Sequence, residues 1–371
     1  MELLGIRRDM TKKHSKEYRD PELSQRIIEK IKGISQKKIR LMEVCGTHTM
    51  AIFKSGIRSL LPPTITLLSG PGCPVCVTAR NEIDAFIEIS KIDDVIVATF
   101  GDLIRVPGTN SSLQKEKAEG RDIRIVYSAM DAIEIARNNP QKKVVFLGVG
   151  FETTAPTIAA SILVASQTSL ENYLVYSAHK LVPPALSALM ENKAVNIDGF
   201  LLPGHVSVII GSQAYKPFFN KYHLPCSIAG FEPADLLQSI LMLVDQIESN
   251  KPRLDNDYSR AVTNEGNVKA KKLLEDIFKI VDTKWRGIGT IKQSGMKIRK
   301  CFEIFDAQKQ LEFVLPPAQA HRGCLCGEIL IGAKIPPECP LYKKVCTPQD
   351  PEGPCMVSSE GTCAAYYRFH S

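Results

Sequence analysis

The chain has 371 residues, of which 44% are hydrophobic, and a formal net charge of +7 from 47 basic and 40 acidic side chains. This length favours two or three domains over one. The charge is mild, the chain has one Trp, and no basic run alternates with aromatic residues, so the composition argues against a nucleic-acid-binding protein.

The sequence carries no targeting or membrane signal that we can identify. Residues 1–20 are charged and lack the apolar core of a signal peptide. No segment approaches the roughly 20 apolar residues that a membrane span needs. We therefore expect a cytoplasmic protein without membrane contact. In a reducing compartment, clustered cysteines among the eleven are more often metal ligands or redox groups than structural disulfides.

Short β-branched runs alternate with helical stretches over residues 38–248. After a polar lead-in with an amphipathic helix at 21–32, the predicted strands are 39–44, 65–69, 95–99, 123–127, 144–148, 173–177, 199–202 and 226–230. The predicted helices are 82–90, 131–138, 155–166, 184–192, 212–221 and 233–248. This alternation indicates βαβ units, and therefore parallel sheets with helices on their faces.

Eight strands are many for one doubly wound sheet, so we expect two Rossmann-like α/β domains. The expected limits are 1–115 and 116–225, with the break near the charged stretch 114–124, and residues 226–250 could return to complete the first sheet. Residues 251–371 form a third unit, with a helical segment at 267–281. From residue 324 onwards this unit holds six of the eleven cysteines.

The cysteine-rich tail has little apolar periodicity, and small segments of this kind usually need a metal centre to become ordered. Its cysteines are Cys324, Cys326, Cys339, Cys346, Cys355 and Cys363. Their spacing matches neither paired zinc half-sites nor the compact ferredoxin run. Cysteine-only ligation among Gly- and Pro-rich turns favours a small iron–sulfur domain. A structural zinc site and reduced buried thiols are the alternatives, and spacing alone does not identify the four ligands.

Two thiol motifs lie where the first two predicted strands end. Cys45 and His48 follow the first strand, and the C-x-x-C pair Cys73 and Cys76 follows the second. Since parallel strands bring their carboxyl ends to one edge of a sheet, we expect three thiols and an imidazole to share a pocket. The C-x-x-C spacing is typical of a redox pair or half of a metal site. Thiolates beside an imidazole suit a ferrous ion, although Cys45 and His48 alone could also be nucleophile and base, or structural.

Further polar residues follow later predicted strands. They are Asp102, Glu152, Thr153, Thr154, His179 and His205. The Glu-Thr-Thr group opens a helix, where capping is the simplest explanation, and the phosphate-loop and dinucleotide motifs are absent from the sequence. Each histidine could reach the crevice, but a lone histidine is more often structural.

Taken together, these motifs resemble the HypD family, whose members help to build the iron centre of [NiFe]-hydrogenases. The matching segments are Cys-Gly-Thr-His-Thr at 45–49, Gly-Pro-Gly-Cys-Pro-Val-Cys at 70–76, Gly-Phe-Glu-Thr-Thr at 150–154, Pro-Gly-His-Val-Ser at 203–207 and Cys-Met-Val-Ser-Ser-Glu-Gly-Thr-Cys-Ala-Ala-Tyr at 355–366. The resemblance covers nearly the whole chain. It implies two α/β domains, a C-terminal domain with a [4Fe-4S] cluster, and an assembly scaffold with redox activity rather than a conventional turnover enzyme.

The resemblance also implies partners and roles for particular residues. The implied partners are a HypC-type chaperone that shares the iron held by Cys45, a HypE-type cyanide donor and, indirectly, the hydrogenase large subunit that receives Fe(CN)₂CO. Cys73 and Cys76 would form the redox pair and could also bind iron, and His48 would orient the site or relay a proton.

For the cluster, the resemblance leads us to expect the ligands Cys326, Cys339, Cys346 and Cys363, with Cys324 and Cys355 in reserve. Glu152, Thr153, Thr154 and His205 are assigned to the crevice or to a partner surface. Two interpretations of other classes remain. One is an iron–sulfur thiol–disulfide oxidoreductase that acts on a protein substrate, and the other is a zinc-stabilised adaptor.

Overall fold

The computed structural model describes residues 18–317 and 323–369. Most of the N-terminal segment in which we expect no targeting signal lies outside these residues. The strands are β1 (Ile39–Glu43), β2 (Ile65–Ser69), β3 (Val95–Thr99), β4 (Ile123–Ile125), β5 (Lys143–Gly148), β6 (Tyr173–Ser177), β7 (Gly199–Pro203), β8 (Cys226–Ala229), β9 (Leu254–Asn256), β10 (Phe278–Trp285) and β11 (Gly289–Ile298).

The helices fall mainly between these strands. They are α1 (Pro21–Ile34), α2 (Gly46–Lys54), α3 (Ile57–Leu60), α4 (Pro74–Val77), α5 (Arg80–Ser90), α6 (Leu113–Ala118), α7 (Ala129–Asn138), α8 (Ala155–Gln167), α9 (Val182–Glu191), α10 (Gly204–Ile210), α11 (Lys216–Tyr222), α12 (Pro233–Glu248), α13 (Val268–Ile277), α14 (Ala307–Gln310), α15 (Cys326–Leu330), α16 (Pro354–Val357) and α17 (Thr362–Phe369). Within the described ranges, no helix is both long enough and apolar enough to cross a membrane.

Two parallel sheets form the framework, which confirms the α/β class. The first has the strand order β2-β1-β7-β8-β9 and the second the order β4-β3-β5-β6. Each pairing within them is parallel, as βαβ crossovers require. The antiparallel hairpin of β10 and β11 makes a separate two-stranded ribbon.

The grouping of strands differs from the sequence-based expectation in two places. Strand β3, on the near side of the expected break at residue 115, pairs with β4 and β5 on its far side. Strand β7 pairs with β1 rather than with the second sheet. A βα unit that joins a new sheet has the same alternation of strand and helix as one that returns to the previous sheet. The sequence pattern therefore does not show where the chain passes from one sheet to the other. The return of β8 to the first sheet is present, and the extent of each domain stays a prediction.

The segment after α12 also differs from its prediction. The helix expected at 267–281 ends at Ile277, and β10 begins at the next residue. The hairpin was not predicted, because its strands are largely exposed and carry many lysines, which gives little β periodicity. It is held instead by tertiary contacts: isolated bridges join Trp285 to Thr78 and Gly295 to Lys180.

The cysteine-rich tail packs against a core that the rest of the chain supplies. Met356 and Tyr366 from the tail belong to one buried apolar cluster with Phe86 of α5, Leu147 of β5 and Trp285 of the hairpin. This arrangement agrees with a tail that builds little core of its own. It also brings the tail cysteines to the carboxyl edge of the first sheet.

Candidate thiol site

The register of β1 and β2 places two turns side by side. We call them the thiol turns: the first holds Cys45 and His48, and the second holds Cys73 and Cys76. Glu43 pairs with Ser69 at the carboxyl ends of the two strands. Just beyond, the Gly46 N–H donates to the Gly72 carbonyl over 3.0 Å. A β-carbon on Gly72 would lie 2.1 Å from the backbone nitrogen of Cys45. The turns therefore touch through their backbones, and only glycine at position 72 permits this approach.

Cys45 lies at the junction of β1 and α2 as a buried thiol. It occupies the N-cap position of α2, in extended conformation. Burial is the main cause that raises its pKa to about 11, and nearby Glu360 adds to the rise, whereas the N–H groups of His48 and Thr47 oppose it. At neutral pH Cys45 is therefore a protonated thiol, and a metal ion that binds it must displace one proton.

The tail reaches the first thiol turn through Glu360. The Thr47 hydroxyl donates to a Glu360 carboxylate oxygen over 2.6 Å. A β-carbon on Gly46 would lie 2.5 Å from that of Glu360. Next to it, the Ser358 hydroxyl donates to Asp102, at the end of β3, over 3.2 Å. Sequence reasoning gave Glu360 no role, because its position in the tail motif did not reveal which turn it would contact.

His48 and His205 flank one aromatic ring near the end of β8. His48 is buried, and its Nε2 lies 3.2 Å from the Ala229 carbonyl oxygen, while its Nδ1 has no hydrogen-bond partner among the described residues. Burial lowers the pKa of His48 to about 4, so the imidazole is neutral at physiological pH. The Phe231 ring centroid lies 4.9 Å from that of His48 and 3.8 Å from that of exposed His205.

Cys73 and Cys76 are both buried in the second thiol turn. Cys73 caps α4, where its Sγ accepts a hydrogen bond from the Cys76 N–H over 3.2 Å. The Cys76 thiol lies 3.8 Å from the Pro354 carbonyl oxygen of the tail. Burial raises the pKa of Cys76 well above its ordinary value. The Cys76 side chain also forms a hydrogen bond with the Cys355 thiol. The C-x-x-C turn therefore contacts the tail thiols directly.

The six tail cysteines surround one small space. The residues that line it include Cys324, Cys326, Cys339, Cys346, Cys355 and Cys363. The Cys326 and Cys355 sulfurs lie 2.9 Å apart, and the Cys355 thiol also forms a hydrogen bond with Cys363. The free volume is about 10 Å³, near the lower limit for one water molecule. All eleven cysteines are free thiols.

The donor chemistry of this space suits thiolate ligation of iron. Thiol sulfurs converge on it, and no imidazole or carboxylate lines it. Within the described residues, no three His, Cys, Asp or Glu side chains are arranged as ligands of a metal ion. The choice of four ligands stays a prediction.

The Glu-Thr-Thr group lies at the start of α8, and its acid reaches a neighbouring helix. A Glu152 carboxylate oxygen accepts from the Val182 N–H at the start of α9 over 2.9 Å, and the other has no partner among the described residues. Burial raises the pKa of Glu152 to about 7. Thr154 occupies the N-cap position without a capping hydrogen bond, and Thr153 is half-buried. Glu152 rather than a threonine therefore makes the capping contact, and it does so to α9.

A buried ion pair in the second sheet was missing from the sequence analysis. The Lys180 ammonium donates to both carboxylate oxygens of Glu82, over 2.7 and 2.9 Å, and to Thr283 of the hairpin over 3.2 Å. Neighbouring His179 bonds to Ser177 over 2.9 Å, and burial lowers the pKa of His179 to about 3. His179 therefore lies just beyond the end of β6, where it packs against Phe278 of the hairpin.

Comparison with known proteins identifies the relatives of this chain. Residues 22–370 match the HypD family model, described as "Hydrogenase formation hypA family". Hydrogenase maturation factor HypD2 of Bradyrhizobium diazoefficiens is 43% identical over 367 residues, which cover 96% of this chain and 97% of that protein. Hydrogenase maturation factor HypD of Escherichia coli is 42% identical over 361 residues, 95% of this chain and 97% of that protein. A putative hydrogenase expression/formation protein of Methanocaldococcus jannaschii is 41% identical over 352 residues, 94% of this chain and 98% of that protein.

Proposed function

This chain belongs to the HypD family of hydrogenase maturation factors, and from that membership we propose that it is a cytoplasmic scaffold on which the Fe(CN)₂CO unit is assembled. It acts with other maturation proteins. Cys45 binds an iron ion as cargo together with a HypC-type chaperone, a HypE-type protein supplies the cyanide, and the hydrogenase large subunit receives the finished unit.

One observation carries the proposal: the turns that hold the three buried thiols touch through their backbones where two parallel strands end. The Cys45 and Cys73 turns are joined by the Gly46–Gly72 hydrogen bond, and the tail closes over both. Soft thiolates of this kind bind ferrous iron, and the neutral imidazole of His48 is near enough in the chain to orient the turn. Burial keeps water away from an ion bound there. It also raises the pKa of the Cys45 thiol to about 11, so the thiol is protonated when no metal ion is bound.

The C-x-x-C pair supplies electrons in this proposal. Release of cyanide from a thiocyanate-like carrier consumes two electrons, and oxidation of Cys73 and Cys76 to a disulfide provides two electrons and two protons. The contact between Cys76 and Cys355 supports this role, because it gives the pair a direct neighbour among the tail thiols. When bound by the tail, a [4Fe-4S] cluster supplies electrons at low potential.

The rival function, a thiol–disulfide oxidoreductase acting on a protein substrate, receives less support. Cys76 is fully buried and Cys73 is 4% exposed, so a protein disulfide does not reach either sulfur without local opening. Such an enzyme would also keep its turnover when Cys45 is replaced.

The test is metal analysis and infrared spectroscopy on anaerobically purified protein, alone and with a HypC-type partner. We expect iron and sulfide for one cluster, further iron, and bands of metal-bound cyanide and carbon monoxide. Cys45→Ala should lose the bands and the further iron but keep the sulfide. Cys301→Ala is the matched control, because this cysteine is exposed and lies outside the thiol site.

Two results would contradict the proposal. Bands that persist in Cys45→Ala would remove the iron-binding role of that thiol. A cluster without any such bands, even with the partner present, would favour the oxidoreductase.

A further inference from the structure

An open cavity of about 520 Å³ lies beside the tail cysteines Cys324 and Cys326. Its wall includes Arg80 at the start of α5, Trp285 and Arg286 at the end of β10, and the tail residues Cys324 and Cys326. A volume in this range is typical of small-molecule sites.

Two arginines in this wall lie near each other, and among the described residues neither forms an ion pair with a carboxylate. Burial lowers the pKa of Arg80, and the nearby Arg286 guanidinium lowers it further. The Arg286 Nε donates to the Thr78 carbonyl oxygen over 2.9 Å, which fixes its position, whereas its Nη2 is buried and has no hydrogen-bond partner among the described residues. A buried guanidinium donor without an acceptor costs free energy, so its presence needs an explanation.

Two buried or half-buried cations in the described part of the chain form ion pairs with acidic side chains. Lys180 pairs with Glu82 at 2.7 Å and Arg260 with Asp235 at 2.6 Å. Arg80 and Arg286 have no carboxylate oxygen within 4 Å there. Asp84 lines the same cavity, but its two oxygens accept from the backbone N–H and the hydroxyl of Thr109, over 2.6 and 2.8 Å.

The position of Arg80 adds to the local positive charge. Arg80 is the first residue of the eleven-residue helix α5, whose N-terminal end carries the positive end of the helix dipole. Lys284, also in the cavity wall, is a third cation. The rest of the wall is largely apolar, with Trp285, Leu315 and Pro316, and it also includes the acidic residue Glu352.

We propose that this cavity binds a small organic anion, with a phosphate or carboxylate head on Arg80 and Arg286 and an apolar body against the hairpin. Guanidinium groups recognise both heads through paired hydrogen bonds. The ligand would lie beside Cys324 and Cys326, next to the residues that follow the C-x-x-C turn. This inference goes beyond the proposed function and uses neither iron nor a cluster, so it can fail or stand independently.

The single tryptophan makes the site directly observable. We would titrate the full-length protein with inorganic phosphate, phenyl phosphate and benzoate at constant ionic strength, with sodium chloride as the control. Binding would be followed by calorimetry and by the emission of Trp285. We expect saturable binding of phenyl phosphate or of benzoate, and the one that binds identifies the head group as phosphate or carboxylate. If the head group is phosphate, phenyl phosphate should bind at least tenfold more tightly than inorganic phosphate.

Variants test the arginine pair. Arg286→Gln and Arg80→Gln should each raise the dissociation constant at least tenfold. Arg299→Gln should leave it unchanged, because that exposed arginine also donates its Nε to a backbone carbonyl, of Glu275, but lies outside the cavity. Failure of every probe to saturate, or wild-type affinity in Arg80→Gln with the fold intact, would overturn the proposal.

Discussion

Replacement of Gly72 by alanine should separate the two thiol turns. The added β-carbon would lie 2.1 Å from the Cys45 nitrogen and 2.4 Å from its α-carbon, and real β-carbons essentially never approach closer than 3.0 Å. The contacts are to backbone atoms that cannot rotate away, so the turns must part by about 1 Å. A displacement of this size can lower the reaction rate at a preorganised site about 10²-fold. Overpacking of this kind also costs about 1–3 kcal/mol in free energy of unfolding.

The assay combines chemical denaturation with iron content measured anaerobically. Gly72→Ala should unfold at lower denaturant concentration and lose the iron that we propose binds Cys45, while the sulfide of the proposed tail cluster should remain. Gly101→Ala is the matched control at the end of β3, because its β-carbon would meet only Ile125, at 3.7 Å. If Gly72→Ala were as stable as Gly101→Ala and held as much iron as the wild type, the close approach of the turns would not matter for either property.

Three further predictions concern buried charged groups. Lys180→Met should cost about 3–5 kcal/mol in the free energy of unfolding, because it leaves the Glu82 carboxylate without its cation; adding Glu82→Gln should recover most of this loss in denaturant titrations, and no recovery would contradict the ion-pair account. Glu360→Gln should lower the pKa of Cys45, since it removes a nearby negative charge, and the rate of Cys45 alkylation measured against pH should shift to lower pH; an unchanged profile would exclude that influence. Because the pKa of Glu152 is raised from 4.5 to about 7, the folded protein binds more protons than the unfolded chain between these values, and stability should fall by about 3 kcal/mol as pH rises through them. Unfolding measured against pH should show a flatter profile for Glu152→Gln, and an equally steep one would assign the effect to another group.

Local patterns in the sequence predict the strands well but not their partners. The limits predicted for β2, β3 and β6 agree with the structure, because short β-branched runs bounded by turn residues are a local signal. The pairing of β7 with β1 in the first sheet joins residues far apart in the chain, so local patterns do not reveal it. The same limit applies to the hairpin, whose exposed strands resemble a continuation of α13.

The candidate site likewise has features that the sequence predicted and features that it did not. The adjacency of the Cys45 and Cys73 turns follows from parallel strands and was predicted from position alone, and the structure places the two turns in contact. Glu360 and the Lys180–Glu82 pair were missed, because each contact joins residues far apart in the chain. The sequence left His48 open as a base, a metal ligand or a structural group, and it could not show that burial lowers the pKa of His48 to about 4.

The strand order of the first sheet determines when this protein can fold during its synthesis. Strands β1 and β2 are complete by residue 69, but their neighbour β7 begins at residue 199, about 130 residues later. At about 5–20 residues per second, the ribosome needs on the order of ten seconds to make that interval. Throughout it the first two strands have no third strand to pair with, and Cys45, Cys73 and Cys76 are not yet enclosed by the tail. The nascent chain therefore exposes these three thiols early and encloses them late, so oxidation can reach them before the fold is complete.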